Sequence, residues 1–249
     1  MIKTWMTPWL LMAVPFLGAT LSLLLRTSLQ RMKTSALLTT VASMLVVIGT
    51  PWALGDTLAG VPFLCLLPLT AFLSLLGQPL HRDNTSAWTT TLVLLGLGLG
   101  ILTAQAPAHD VMLLILPGLL CILLYRYQSG ATPETWRGLS AYGLSMMSAA
   151  LALLLPTPAS TVALLVTCAT LLPLLPVHSG FIATLTGLPG NLPAFLVFLL
   201  PTVGFHTLLT LLPNLTVTTL HTVAILALAG AVYGSLRALI QARPLPRLS

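Results

Sequence analysis

The spacing of polar residues constrains this chain more than any other feature. Apolar runs of roughly twenty residues follow one another with only short polar or Pro/Gly-rich breaks, and about twenty apolar residues is the length a helix needs to cross a bilayer. Nine runs can be read: 5–25, 35–54, 61–80, 88–106, 111–127, 138–156, 160–177, 191–212 and 218–240. The runs are leucine-rich and do not alternate, which excludes a β-barrel. Ten Lys/Arg and four Asp/Glu in 249 residues cannot clothe a water-soluble domain. The fold class expected is all-α, a polytopic membrane helix bundle of nine spans with kinked or broken helices. No break resembles an inter-domain linker, so residues 1–249 read as a single transmembrane domain.

The basic residues set an orientation. With the N-terminus outside, the loops after runs one, three and five hold Arg26, Arg31, Lys33, Arg82, Arg126 and Arg137, and the tail holds Arg237, Arg243 and Arg247. Only Lys3 then lies outside, so nine of ten Lys/Arg fall on the cytoplasmic side. The positive-inside rule therefore favours an odd number of spans, N-out and C-in. The opening "MIKTWMTPWLLMAVPFLGATLSLLL" could pass for a signal peptide. It reads as the first span, because Arg26, Arg31 and Lys33 follow it at once. The net charge of +6 is a topology signal rather than a nucleic-acid footprint.

Five prolines, Pro15, Pro68, Pro117, Pro173 and Pro201, fall inside runs and are expected to kink or break them. Lipid cannot satisfy a freed carbonyl, so these positions should face protein or water. "GLGLG" sets Gly96 and Gly100 four apart, and "GAVYG" does the same for Gly230 and Gly234. That spacing suits close helix packing, although glycine is common in membrane helices anyway. Trp5, Trp9, Trp52, Trp88 and Trp136 sit near run ends, as an interfacial aromatic belt would place them. Cys65, Cys121 and Cys168 lie inside apolar runs and read as inert thiols. No nucleophile–base pair, metal cluster or phosphate loop can be assembled, so neither enzyme activity nor a cofactor is expected.

Four short stretches carry a resemblance. "LLPVHSGF" is similar to the "P-x-H-x-W-L" break of the antiporter-like membrane subunits: Pro176 and His178 match, and Gly180 stands in place of the tryptophan. "TVGFHTLL" resembles the glycine-aromatic stretch of the following span. "GAVYGSLRALIQARPLPRLS" resembles "G-x-x-x-A-L-x-Q-x-D-x-K-R" through Gly230, Ala238, Leu239 and Gln241. "HDVMLLILPGLL" resembles a span opened by an aspartate, here Asp110. Such subunits occur in respiratory complex I, multisubunit cation/proton antiporters, membrane-bound hydrogenases and inorganic-carbon accumulation complexes.

The departures say more than the matches. The glutamate of pumping relatives falls at or near Leu119, the lysine before the break at Leu171, and a second lysine or histidine near Thr202. The late aspartate and lysine fall on Arg243 and Pro246. Intramembrane ionisable groups are costly and persist for function, so their replacement implies a chain that no longer relays protons. Full-length relatives have about fourteen helices with two inverted five-helix repeats. On that template, 1–87 holds three N-terminal helices, 88–212 the first repeat, and 213–249 a last helix and cytoplasmic tail. The face a second repeat would cover implies a partner.

The resemblance thus implies a non-catalytic accessory subunit in a bacterial inner membrane. It would dock beside a full-length antiporter-like subunit in an ion-coupled complex, for inorganic-carbon uptake or in a complex I-like or hydrogenase-type machine. An autonomous small-molecule transporter or channel and a membrane assembly factor are the alternatives. His206 is either a neutral hydrogen-bonded histidine or a remnant proton carrier. His178 either holds the broken helix by a side-chain hydrogen bond or titrates on a remnant proton path, Pro176 shapes the break, and Pro201 interrupts the next span. Asp110, beside His109, caps its helix or meets a partner. Arg237 snorkels to headgroups or contacts a partner carboxylate.

Overall fold

A computed structural model describes residues 2–54, 61–127, 133–172 and 179–241. They form ten α-helices, with no strand among the described residues: α1 Ile2–Leu24, α2 Leu29–Leu54, α3 Val61–Leu76, α4 Thr85–Thr103, α5 Ala108–Tyr127, α6 Pro133–Leu154, α7 Ala159–Leu171, α8 Ser179–Gly187, α9 Leu192–Leu211 and α10 Val217–Gln241. Four stretches are long and apolar enough to cross a membrane: Leu29–Thr50, Thr85–Thr103, Ala108–Tyr127 and Leu192–Asn214. Pro8–Leu24, Leu64–Leu76, Ala159–Leu171 and Val217–Gly230 are apolar but shorter.

Each of the nine apolar runs corresponds to one helix, and α8 is the addition. It falls in "HSGFIATLTGLPG", which reads as a loop. Nine residues are too few to hold a helix alone in water. α8 is held by docking. A Cβ on Gly138 of α6 would collide with the Ala183 Cβ, so the two backbones lie in close contact. Tyr142 Oη and Thr184 Oγ1 are hydrogen-bonded at 3.1 Å.

α4 is the centre of the bundle. Thirteen of its nineteen residues are buried, and it packs against α1, α2, α3, α5 and α9. Its glycines permit this crowding. A Cβ on Gly96 would stand 3.2 Å from Phe16 Cε2, and one on Gly100 would stand 2.5 Å from the Met12 sulfur.

Trp88 differs from the belt expectation. It is fully buried (0% exposed), filling the gap that Ala19, Ala36, Met32 and Leu75 leave between α1, α2, α3 and α4. Trp9 and Trp136 are 59% and 62% exposed, while the side chains of Trp5 and Trp52 lie outside the described residues.

No described helix ends at its internal proline. α1, α3, α5 and α9 run on through Pro15, Pro68, Pro117 and Pro201. The first three of these prolines are buried against protein, where neighbouring helices replace the lipid that could not meet a freed carbonyl. Pro173 lies outside the described residues.

Contacts between distant residues define one end of the bundle. Ser22 of α1 bonds Thr89 of α4 at 3.2 Å. Lys33 Nζ donates to the carbonyl oxygens of Leu76, at 3.2 Å, and of Gln78. The end of α1, the starts of α2 and α4 and the end of α3 therefore share one side. α10 stands apart. Its residues 217–229 are exposed or half-buried, and no other helix packs along it among the described residues.

Candidate functional site

The most polar buried constellation lies where the start of α5 meets the last turns of α9. His109 is 6% exposed. Its Nδ1 stands 2.9 Å from Asp110 Oδ1, and its Nε2 stands 3.4 Å from Thr207 Oγ1. The His206 ring centroid lies 6.1 Å from that of His109, at an interplanar angle of 52°. His206 is half-buried and borders a cavity of about 560 Å³ with Leu64, Leu102, Pro201, Thr202 and Phe205.

The hydrogen count at this site is informative. Thr207 has one hydroxyl hydrogen and two candidate acceptors, Val203 O at 2.9 Å and His109 Nε2. When that hydrogen points at His109, the imidazole is neutral and donates from Nδ1 to Asp110. When it points at Val203, His109 can donate from both nitrogens as an imidazolium, with Asp110 as counter-ion. The direction of the Thr207 hydroxyl thus fixes which His109 nitrogens donate. Helix geometry explains the pairing with Asp110 as well, since a carboxylate in the first turn of α5 also meets the positive end of the helix.

A second buried polar cluster joins three helices at the opposite end of α9. Asn191, 1% exposed, donates from Nδ2 to Thr91 Oγ1 at 2.7 Å and to Ser74 Oγ at 3.3 Å. Both hydroxyls give their own hydrogen to a carbonyl one turn earlier in their helix, Ala87 O and Ala71 O. They are therefore free to accept from the amide. Asn191 follows Gly190, whose φ of 65° suits glycine. A third pair, Ser148 and Thr167 at 2.8 Å, ties α6 to α7.

Comparison with family models, with curated proteins and with solved structures returns no match for this chain.

The structure distributes the sequence-derived candidates unevenly. Asp110 and His206 come together through His109. His206 is the fifteenth of the twenty residues of α9, about midway between the helix's middle and its C-terminal end. Pro201 and Thr202 border the His206 cavity, and Thr202 Oγ1 donates to Phe198 O at 2.7 Å. Leu171 is fully buried and packs where a Cβ on Gly204 would stand 3.3 Å from its own Cβ. Leu119 lines an apolar groove of about 1160 Å³. Pro176 and His178 lie outside the described residues. Gly230 lies half-buried in α10, while the surroundings of Gly234 and the Arg237 side chain lie outside the described residues. No group of three His, Cys, Asp or Glu that could hold a metal occurs among the described residues.

His109 and Asn191 are the residues that sequence reasoning passed over. The signal for His109 was its adjacency to Asp110. For Asn191 it was an amide wedged in "GLPGNLP", where a helix start is flanked by proline and glycine.

Proposed function

We propose that this chain is a non-catalytic accessory subunit of a larger membrane complex, acting through contact with a neighbouring membrane subunit. The observation that carries this reading is α10. A twenty-five-residue helix with Ile225, Leu228 and Val232 at 66%, 68% and 52% exposure has no described helix beside it. In this reading a partner helix, rather than lipid alone, covers it. The loss of ionisable groups at Leu119, Leu171 and Thr202 supports the same reading. Leucine cannot pass a proton on.

The proposed topology has nine crossings, with α7 and α8 forming one interrupted crossing. It is N-out and C-in, in a bacterial inner membrane. Two contacts support it. Asn191, at the start of α9, meets Thr91 near the start of α4. Thr207, near the end of α9, meets His109 at the start of α5. α9 is thus parallel to α4 and antiparallel to α5, as the scheme requires. The end that holds Arg26, Arg82 and Arg126 then faces the cytoplasm. The resemblance to antiporter-like subunits names the partner: a full-length subunit of that kind, in a proton- or ion-coupled assembly.

Purification in mild detergent tests the reading. Stoichiometric co-purification with an antiporter-like subunit, together with cross-linking from Leu228→Cys, is expected. A solitary protein that moves protons or a solute across liposomes would overturn it. That outcome would favour an autonomous transporter using the cavity beside His206. A protein that leaves the partner once assembly ends would be an assembly factor.

A further inference from the structure

Three arginines from three separate connections meet in one cup. Arg26 follows α1, Arg82 opens the turn before α4, and Arg126 lies in the last turn of α5. The cup holds about 660 Å³, and Thr27, Thr85, Ser86 and Thr89 add hydroxyls to its wall. No carboxylate lies among its described lining residues. None of the three guanidinium groups has an ion-pair partner among the described residues. The first turn of α4 forms part of the wall and lacks a side-chain cap at Asn84. Uncapped N–H groups at a helix start favour an anion.

α1, α4 and α5 also border an apolar groove of about 1160 Å³, with Met12 and Phe16 of α1, Val93 and Leu97 of α4, and Leu119 and Ile122 of α5 on one side and Met147 and Leu151 of α6 on the other. The helical register sets cup and groove on common faces of α4 and α5. Thr89, Val93 and Leu97 succeed each other at four-residue steps, as do Ile122 and Arg126, so each series shares a helix face. From Arg126 back to Ile115, which also lines the groove, the rise is about 16 Å at 1.5 Å per residue, close to half of a roughly 30 Å hydrocarbon core.

We infer that this surface is a binding site for an anionic phospholipid, with the phosphate in the Arg26–Arg82–Arg126 cup and an acyl chain along the groove. Cationic recesses between membrane helices suit such headgroups. Three positive charges with no carboxylate among the described lining residues favour an anionic headgroup over a zwitterionic one. A free phosphate would not need the groove. The inference rests on the membrane placement proposed above and not on the accessory role.

The test uses the full chain, delipidated in mild detergent and titrated with phosphatidylglycerol, phosphatidylcholine or inorganic phosphate, with binding read by native mass spectrometry and thermal shift. Phosphatidylglycerol is expected to bind and stabilise, phosphatidylcholine to do neither, and Arg82→Gln/Arg126→Gln to weaken binding by about tenfold or more. Arg31→Gln/Arg137→Gln removes the same charge elsewhere and should change little. Leu97→Trp should block the groove while leaving the cup intact. Equal stabilisation by phosphate alone, or equal loss in the two double variants, would overturn the proposal. The lipid-free melting temperature of each variant separates misfolding from lost binding. Extraction by alkaline carbonate separately tests membrane placement.

Discussion

Gly98 of α4 faces Leu199 of α9 so closely that a β-carbon at position 98 would stand 2.5 Å from the leucine Cδ1 and 2.8 Å from Leu67 Cδ2 of α3. Three helices therefore meet at a point where a β-carbon would have to displace the buried methyl ends of Leu199 and Leu67. Gly98→Ala is expected to destabilise the bundle by about 1–3 kcal/mol, as overpacking does. Gly143→Ala, where nothing lies within 4 Å, should be neutral or stabilising by up to about 1 kcal/mol through helix propensity. Thermal melts of the two variants in the same detergent check the contrast. A Gly98→Ala protein as stable as the parent would show that the Leu199 and Leu67 methyls are not tightly packed against α4.

Asp110 accepts a hydrogen bond from the buried His109, and that bond is charge-assisted when the imidazole is protonated. Its removal in Asp110→Ala should cost about 1.5–3 kcal/mol. Asp110→Asn keeps an acceptor and should cost less. If the two substitutions melt alike, the acceptor that asparagine keeps contributes nothing there, and the carboxylate charge, which both variants lose, accounts for any effect.

Asn191 joins α3, α4 and α9 through two donated hydrogen bonds. Hydrogen bonds between membrane helices average about 0.6 kcal/mol and reach about 1.7 kcal/mol, so Asn191→Ala should cost about 1–2 kcal/mol. Asn191→Asp should cost more. It removes both donors, buries a carboxylate, and sets that carboxylate against hydroxyls whose hydrogens are already committed. Urea or thermal denaturation ranks the pair, and a milder Asp variant would contradict the assigned donor direction.

Trp88 is expected to be the most sensitive of the described tryptophans. Trp88→Ala should cost about 3–5 kcal/mol, because the surrounding α1–α4 packing is lost and a cavity remains. Trp9→Ala, at a 59% exposed site, should change stability by less than about 1 kcal/mol. Trp88 also gives an optical readout. Its emission should be insensitive to aqueous quenchers, and quenching in a variant that retains only this tryptophan would show that the indole is not enclosed.

Topology can be read from thiol labelling in intact cells. With the native cysteines replaced, Ser28→Cys and Gln78→Cys should be shielded from an impermeant reagent, and Gln105→Cys should be labelled. The reverse pattern would invert the proposed orientation, and a mixed pattern would break the nine-crossing scheme.

Several features were legible in the sequence because the bilayer imposes them. The all-helical class, the approximate bounds of most helices, the interruption between α7 and α9 and the asymmetry of basic residues all follow from run length, polar punctuation and charge placement. α8 was not legible, since its helicity comes from docking on Gly138 and Tyr142 rather than from its own nine residues. The neighbours of each residue were not legible either. Leu94 is fully buried and Ile122 is 64% exposed, yet both are apolar residues in apolar helices. In a water-soluble protein those two environments would carry different residue types. Against lipid, the packed face and the outward face are both greasy, and the pattern that usually marks a core fades. The chain alone therefore settled what its segments are. Only the tertiary structure decided that His109 lies against Thr207, ninety-eight residues away, and that Asn191 meets Thr91 across one hundred, because close packing between helices depends on the shapes of both partners at once.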